Sequence, residues 1–341
     1  MTFFSLVFFS GLALLSCVGT KLYINYARQE AILDIPNERS SHTLPTPRGG
    51  GVIFVALFLA VILLCPFIFP REASLWLALS GGGLAVAAVG WSDDRKTLPA
   101  WKRLGVHSIA VLWALYHLGG MLSLSLGFAT LPLGYIGHVL AFIGGVWMVN
   151  LYNFMDGIDG LAAGEAVLAA STGAFLTKGT PVSFALFALA ASVLGFLIWN
   201  WSPAKVFMGD AGSGFLGFTF FCFALYTENT NTVPLLTWAV LVSVFAVDAT
   251  LTLIMRARRR KRLSEAHRDH LYQQFIKAGF RHSSVTIIAL LLGFCASLAA
   301  FFFSHYIFLL FATIYGLLGV LWLQLYRRFS SITSKEAGKE S

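Results

Sequence analysis

An all-α fold that crosses a membrane many times is what this chain predicts, on three observations. Hydrophobic residues make up 57% of its 341 positions and charged residues only 12%, about half the charge of a soluble globular chain. The apolar residues gather in runs close to the ~20 residues that one helical crossing needs. Those runs are rich in Gly, Ala, Leu and Phe without period-two alternation, so they fit helices rather than barrel strands. The composition excludes a water-soluble fold and a disordered chain.

In chain order the runs fall at about 3–25, 49–69, 74–91, 104–122, 135–152, 161–177, 182–200, 212–228, 234–254, 284–303 and 306–325, eleven in all. The first follows no positively charged region, so it reads as a retained helix rather than a cleaved signal peptide. Cys17, Cys65, Cys222 and Cys295 lie inside runs with no paired spacing and read as packing residues. The Gly-rich stretch 119–134 has room for a short re-entrant piece.

Eleven crossings put the termini on opposite sides, and Lys and Arg decide which. One set of loops carries Arg28, Arg39, Arg48, Arg95, Lys96, Lys102, Arg103, Lys205, the basic loop 256–281 and the tail from Arg327 to Lys339; the other carries only Arg71 and Lys178. The positive-inside rule then makes the N-terminus periplasmic and the C-terminus cytoplasmic. The formal charge of +8 acts through this placement, and no nucleic-acid partner is expected. Only Asp248, read as turned toward Arg256, is ionisable at mid-membrane depth, which is thin support for a transport pathway.

Five polar constellations sit at the cytoplasmic ends of the runs. The adjacent carboxylates Asp93 and Asp94 need a compensating cation at a low-dielectric boundary, or else pair locally with Arg95 and Lys96. Asn150, Asn153, Asp156 and Asp159 recur every third residue, a slanted stripe of oxygen donors of the kind a hard divalent cation prefers; the bland alternative is a capped helix end. Asp210 falls just before a helix start, where backbone N–H groups and the helix dipole suit a phosphate; as an ordinary N-cap it would look the same, with Lys205 merely snorkelling. His267, Arg268 and His270 follow a basic run that sets topology or attracts anionic lipid, and an Arg between imidazoles suits phosphate gripping. Finally, the Pro- and Gly-rich segment 36–51, with Arg39, His42 and Arg48, reads as either an anion-contacting lid or a stiff connector.

Four separated motifs in this order resemble the polyprenyl-phosphate N-acetylhexosamine-phosphate transferases, of the glycosyltransferase family 4 type. They are the Asp93–Asp94 pair, the Asn150-to-Leu161 motif, the segment from Pro203 through Lys205 and Asp210 to Ser213, and the His/Arg loop. The resemblance covers roughly residues 1–325 as one multi-span domain and leaves 326–341 as a polar cytoplasmic tail. It implies transfer of a sugar phosphate from a UDP-sugar to undecaprenyl phosphate, with release of UMP and a need for Mg²⁺ or Mn²⁺, on the cytoplasmic face of the bacterial inner membrane. Carried over by motif, Asn153 and Asp210 are metal ligands, and Asp93, Asp94, Asp156, Asp159 and His267 are catalytic. Arg48, Lys205, Arg268 and His270 hold substrates.

The muramoyl-pentapeptide enzymes of this superfamily carry a run of histidines where this chain has Ala266-His267-Arg268-Asp269-His270. That departure favours the branch that starts O-antigen on UDP-GlcNAc or UDP-linked deoxy-N-acetylhexosamines, with peptidoglycan synthesis as the alternative and a secondary transporter more remote. The partners expected are UDP-N-acetylhexosamine, undecaprenyl phosphate and membrane lipids, with a homodimer left open.

Overall fold

The structure, a computed structural model, describes residues 3–36, 44–261 and 267–337. Arg39, His42, Ala266 and Lys339, named above, and residues 262–265 of the basic loop lie outside the described residues. Helix α1 (Phe3–Gln29) leads into a two-residue ladder of β1 (Leu33–Asp34) with β2 (Thr46–Pro47). Then come α2 (Val52–Ile68), α3 (Ala73–Leu77), α4 (Gly83–Arg95) and α5 (Ala100–Leu118), with one π-helical turn, Ala78–Gly82, joining α3 to α4. A hairpin of β3 (Ser123–Ser125) and β4 (Thr130–Pro132) precedes α6 (Tyr135–Met155), α7 (Leu161–Leu176), α8 (Pro181–Asn200) and α9 (Asp210–Asn229). The chain ends with α10 (Leu235–Leu241), α11 (Ser243–Arg258), α12 (Leu271–Lys277), α13 (His282–Phe302) and α14 (Ile307–Ala337).

Helices lie on all eleven apolar runs, but they are not equal. Among the described residues six spans are long and apolar enough to cross a membrane: Phe3–Gln29, Pro70–Arg95, Tyr135–Met155, Pro181–Asn200, His282–Phe302 and Ser304–Phe329. The pair α10 and α11 passes the same test only when counted together, and it is bent by 81° at Val242. α2 and α7 are apolar but shorter. The last helix also runs past residue 325, so the expected tail begins inside α14.

α9 is the central post: every residue from Ala211 to Leu225 is buried, with α4 and α6 packed along it. Small residues permit this closeness, since a Cβ on Gly217 would meet the α6 backbone at Val149 and one on Gly90 the start of α9. The stretch 119–134 carries no re-entrant helix. It forms the β3–β4 hairpin, tied down when the Glu228 carboxylate accepts from the backbone N–H groups of Ser125 and Leu235, at 2.6 Å each. The Asn229 side chain completes the clasp by donating to the carbonyls of Leu118 and Gly120.

Asp248 also departs from expectation. Its carboxylate accepts from the Leu271 and Tyr272 backbone N–H groups, Thr252 Oγ1 and Trp322 Nε1, while Arg256 pairs with Asp269. A carboxylate at this depth is tolerated because four donors satisfy it, and its work is to dock α12 onto α11 and α14.

Candidate active site

The polar constellations meet where the C-terminal ends of α4 and α6 face the N-terminal ends of α5 and α9. Gly209 precedes α9 at φ 78° and ψ 173°, a region essentially reserved for glycine. The missing side chain lets the Asp94 carboxylate close over the helix start. Asp94 Oδ1 accepts from the Asp210 N–H at 2.9 Å and Oδ2 from the Ala211 N–H at 3.2 Å. The anion at this helix N-terminus is therefore Asp94, where the sequence suggested a phosphate, and Asp210 occupies the first helical position rather than the cap.

Two guanidiniums bind the carboxylates together. Arg48 donates from Nε to Asp94 at 3.0 Å and from Nη2 to Asp210 at 2.9 Å. Arg103, on the first turns of α5, donates from Nη1 to Asp93 at 3.0 Å and to Asp210 at 2.6 Å. Arg48 is itself held by the local backbone: Tyr23 Oη donates to its carbonyl at 2.6 Å, and the Phe207 N–H donates to the Pro47 carbonyl at 2.8 Å. The segment around Arg48 is thus pinned against the approach to Asp210, and its guanidinium is taken up by the cluster's own carboxylates.

On the α6 side Asn153 donates to Ser213 Oγ at 3.2 Å and reaches the Asp210 carboxylate. Burial, then the charges of Asp210 and Asp94, push the Asp156 carboxyl well above the ordinary carboxylate range. Four carboxyl groups, Asp93, Asp94, Asp156 and Asp210, face two guanidiniums, and the raised Asp156 pKa reflects, besides burial, that imbalance. Among the described residues no three His, Cys, Asp or Glu side chains form a ready-made metal cage. The excess negative charge and the carboxylate-plus-carboxamide donor set nonetheless fit magnesium, which takes one or two protein carboxylates and completes its shell with water and substrate phosphates.

A cleft of about 1070 Å³ opens on this cluster. Arg103, His107, Asn150, Asn153, Asp210, His267 and His270 form its polar end, and Trp101, Leu104, Phe142, Ile143, Val146 and Trp147 its apolar length. His267 and His270 stand with ring centroids 4.9 Å apart, carried by the loop that Asp248 docks. Tyr272 seals that loop to α6 by donating to the Phe154 carbonyl at 2.9 Å, against Gly157, where a Cβ would collide with the phenol oxygen.

Of the expected site residues, Asn153, Asp210, His267 and His270 line the cleft; Arg48, Asp93, Asp94 and Asp156 belong to the cluster without lining the cleft, and Asp159, Lys205 and Arg268 stand apart from both. Asp159 pairs with His282 Nδ1 at 3.2 Å and accepts from the Ala204 N–H; burial would raise its pKa, but the His282 contact and further hydrogen bonds hold it below the usual carboxylate range. Lys205 is exposed on the adjoining loop. Arg268 contributes its carbonyl, which accepts from Gln274 Nε2 and Lys277 Nζ. Two wall residues went unassigned by sequence reasoning. Arg103 was counted only as a topogenic charge. His107, buried with Nδ1 unpartnered, looked like one polar position in an apolar run, and no signal in a single sequence marks it.

Burial, then the nearby His270 and Arg256, lower the His267 pKa to about 4. The folded protein therefore holds a neutral imidazole where the unfolded chain, near 6.5, takes up a proton. As pH falls from 6.5 toward 4, the unfolded state binds more protons and stability falls; above 6.5 this contribution is constant. Thermal unfolding in detergent at pH 7.5 and 5 is expected to show a smaller pH-induced drop for His267→Gln than for the parent. Equal drops would remove His267 as the source.

Comparisons with known proteins give the chain its relatives. Residues 76–228 match the glycosyl transferase family 4 model. The chain is 30% identical over 281 residues to a probable undecaprenyl-phosphate N-acetylglucosaminyl 1-phosphate transferase of Bacillus subtilis, covering 79% of this chain and 76% of that one. It is 30% identical over 310 residues to the undecaprenyl-phosphate alpha-N-acetylglucosaminyl 1-phosphate transferase of Escherichia coli K12, covering 84% and 82%. A phospho-N-acetylmuramoyl-pentapeptide-transferase of Gloeothece citriformis is 34% identical over 188 residues, half of each chain. With such coverage the chain belongs to the polyprenyl-phosphate N-acetylglucosamine-phosphate transferase superfamily.

Proposed function

We propose that this protein transfers an N-acetylhexosamine phosphate from a UDP-sugar to undecaprenyl phosphate, as the first membrane step of O-antigen or another envelope polysaccharide. The observation that carries the reading is a cleft with an under-neutralised oxygen cluster at one end and an apolar seam at the other. Such a shape suits an acceptor whose phosphate must meet a nucleotide diphosphate while its tail stays in lipid. The reading takes all eleven helical runs as crossings, with the N-terminus outside and the cleft facing the cytoplasm, as the Lys/Arg asymmetry supports.

A phosphate oxygen of the acceptor attacks the β-phosphorus of the donor; the bond from that phosphorus to the bridging oxygen breaks, and UMP leaves. The acceptor's second pKa is near ~6, so it arrives largely deprotonated and a general base adds only modestly. Most of the work is positioning and neutralisation. Asp210 and Asn153 would hold a magnesium ion, which when bound would supply charge neutralisation at the reacting phosphates. Arg103 lines the cleft and gives phosphate oxygens a guanidinium, Arg48 holds Asp210 from behind, and neutral His267 and His270 offer hydrogen bonds to the donor. Asp94, fully buried and bound to the start of α9, fixes that helix, whereas Asp93 shares Arg103 with Asp210.

Membranes carrying the protein are expected to release UMP only when undecaprenyl phosphate and a matching UDP-N-acetylhexosamine are both supplied with Mg²⁺. UDP-GlcNAc, UDP-linked deoxy-N-acetylhexosamines and UDP-MurNAc-pentapeptide form the panel. Turnover of the pentapeptide alone overturns the branch assignment, and UMP release with no donor in the panel overturns nothing but the background; no acceptor-dependent release with any of them overturns the reaction.

A further inference from the structure

The last helix stands out from the rest of the bundle. Of the apolar span Ser304–Phe329 only 11% is buried, so α14 turns most of its length outward, with Leu317, Val320 and Leu321 exposed. From Tyr315 on, its inward residues are large and mostly aromatic. Tyr315, Leu318, Trp322, Tyr326 and Phe329 follow one another at three- and four-residue steps, a single stripe of the helix. This stripe lies beyond residues 76–228, which match the family model, and no step of the proposed transfer uses it.

The stripe meets the elements that carry the donor-side loop. Trp322, 2% exposed, donates from Nε1 to Asp248 Oδ1 at 2.9 Å, and the same carboxylate takes the Leu271 and Tyr272 N–H groups of α12. Tyr326 stacks on Trp322 with ring centroids 4.6 Å apart, and the Arg259 guanidinium, just past α11, stands 5.4 Å from the Tyr326 centroid. Phe329 meets Phe275 edge-on at 4.9 Å. α14 therefore holds α12 twice, at its start through Asp248 and toward its end at Phe275.

α12 has only seven residues, too few to keep a helix in place without packing. Where it goes, the preceding loop goes with it. Gln274 Nε2 and Lys277 Nζ donate to the Arg268 carbonyl at 2.7 and 2.8 Å, and the His270 N–H donates to Gln273 Oε1 at 3.3 Å. From that loop His267 and His270 line the cleft.

We infer that α14 braces the donor side of the site and that Trp322 is its positioning residue: by completing the clasp on Asp248 it holds His267 and His270 where a nucleotide-sugar diphosphate meets them. This inference rests on the transferase reading and adds to it a residue that sets donor affinity without touching the donor. Arg103 and His107 line the cleft from α5 and lie outside this chain of contacts, so the acceptor is spared.

The experiment separates the two substrates. Trp322→Phe keeps an aromatic ring under Tyr326 and removes the N–H. With the panel donor that the parent turns over, UDP-GlcNAc first, the variant is expected to raise the donor KM about tenfold, the scale of one hydrogen bond to a charged group. Its kcat and its KM for undecaprenyl phosphate are expected to stay within about twofold of the parent, the signature of binding lost equally in ground and transition states. Leu317→Ala, on the outward face of the same helix, is expected to match the parent. A lower kcat with both KM values unchanged, equal rises in both, or no change in any of them overturns the brace.

A second readout needs neither turnover nor donor. Amide hydrogen exchange in detergent is expected to run about tenfold faster over residues 271–275 in Trp322→Phe than in the parent, with α9 unchanged. Exchange that rises across the whole molecule would mean a loosened fold rather than a freed loop, and unchanged exchange would mean that Trp322 does not hold α12; either ends the proposal. A parent inactive with every donor brings down the transferase reading and the donor part with it, while exchange still decides whether Trp322 holds α12.

Discussion

Asp210→Asn is expected to lower turnover by about a thousandfold or more, equivalent to some 4 kcal/mol of barrier, while the protein stays folded in the membrane. Both guanidiniums of the cluster converge on this carboxylate, from Arg48 at 2.9 Å and Arg103 at 2.6 Å. An amide matches its shape but turns an acceptor into a donor that faces donors, and it removes the charge that a divalent cation needs. The fold is spared because the start of α9 is held by Asp94 through the backbone of residues 210 and 211, which the substitution leaves intact. Gel filtration and a melting midpoint within a few degrees of the parent check the second half of this expectation; UMP release checks the first. Turnover near the parent value would take Asp210 out of the reaction.

The helices were legible because a membrane span is written in the chain as length and apolarity, and all eleven runs carry helix. What composition hides is the partner that decides a local shape. The β3–β4 hairpin exists because Glu228 and Asn229, a hundred residues further on, bind its strands and the turn before it. The 81° bend at Val242 has no Pro or Gly to announce it.

The site was legible to the same depth. Asp93, Asp94, Asn153, Asp156 and Asp210 come together because carboxylates at helix ends are costly without company, and their cost is visible in one sequence. Arg103 was not, since a basic residue after a span has a topological explanation that conceals any other. Asp248 misled for the opposite reason: a buried carboxylate suggests an ion pair, and the structure satisfies it with backbone N–H groups and an indole instead.

Gly209→Ala is expected to cost about a hundredfold in turnover and to destabilise the protein, although it adds a single methyl group. The backbone at φ 78° and ψ 173° costs about 1–3 kcal/mol for any residue with a Cβ. That Cβ would also stand 2.5 to 2.7 Å from the three carboxyl atoms of Asp94. Asp94 has nowhere to retreat, because its oxygens hold Arg48 and the first two N–H groups of α9. The first turn of α9 must move instead, and Asp210 moves with it. Gly316→Ala, at a helical position with nothing within 4 Å of the new Cβ, is expected to be silent. A double-mutant cycle with Asp94→Ala isolates the cause: once that carboxylate is gone, the Gly209→Ala penalty is expected to shrink to its backbone part, a coupling well above the ~0.5 kcal/mol scatter of independent sites. Additive effects would mean that the contact between residues 94 and 209 does not set the position of Asp210.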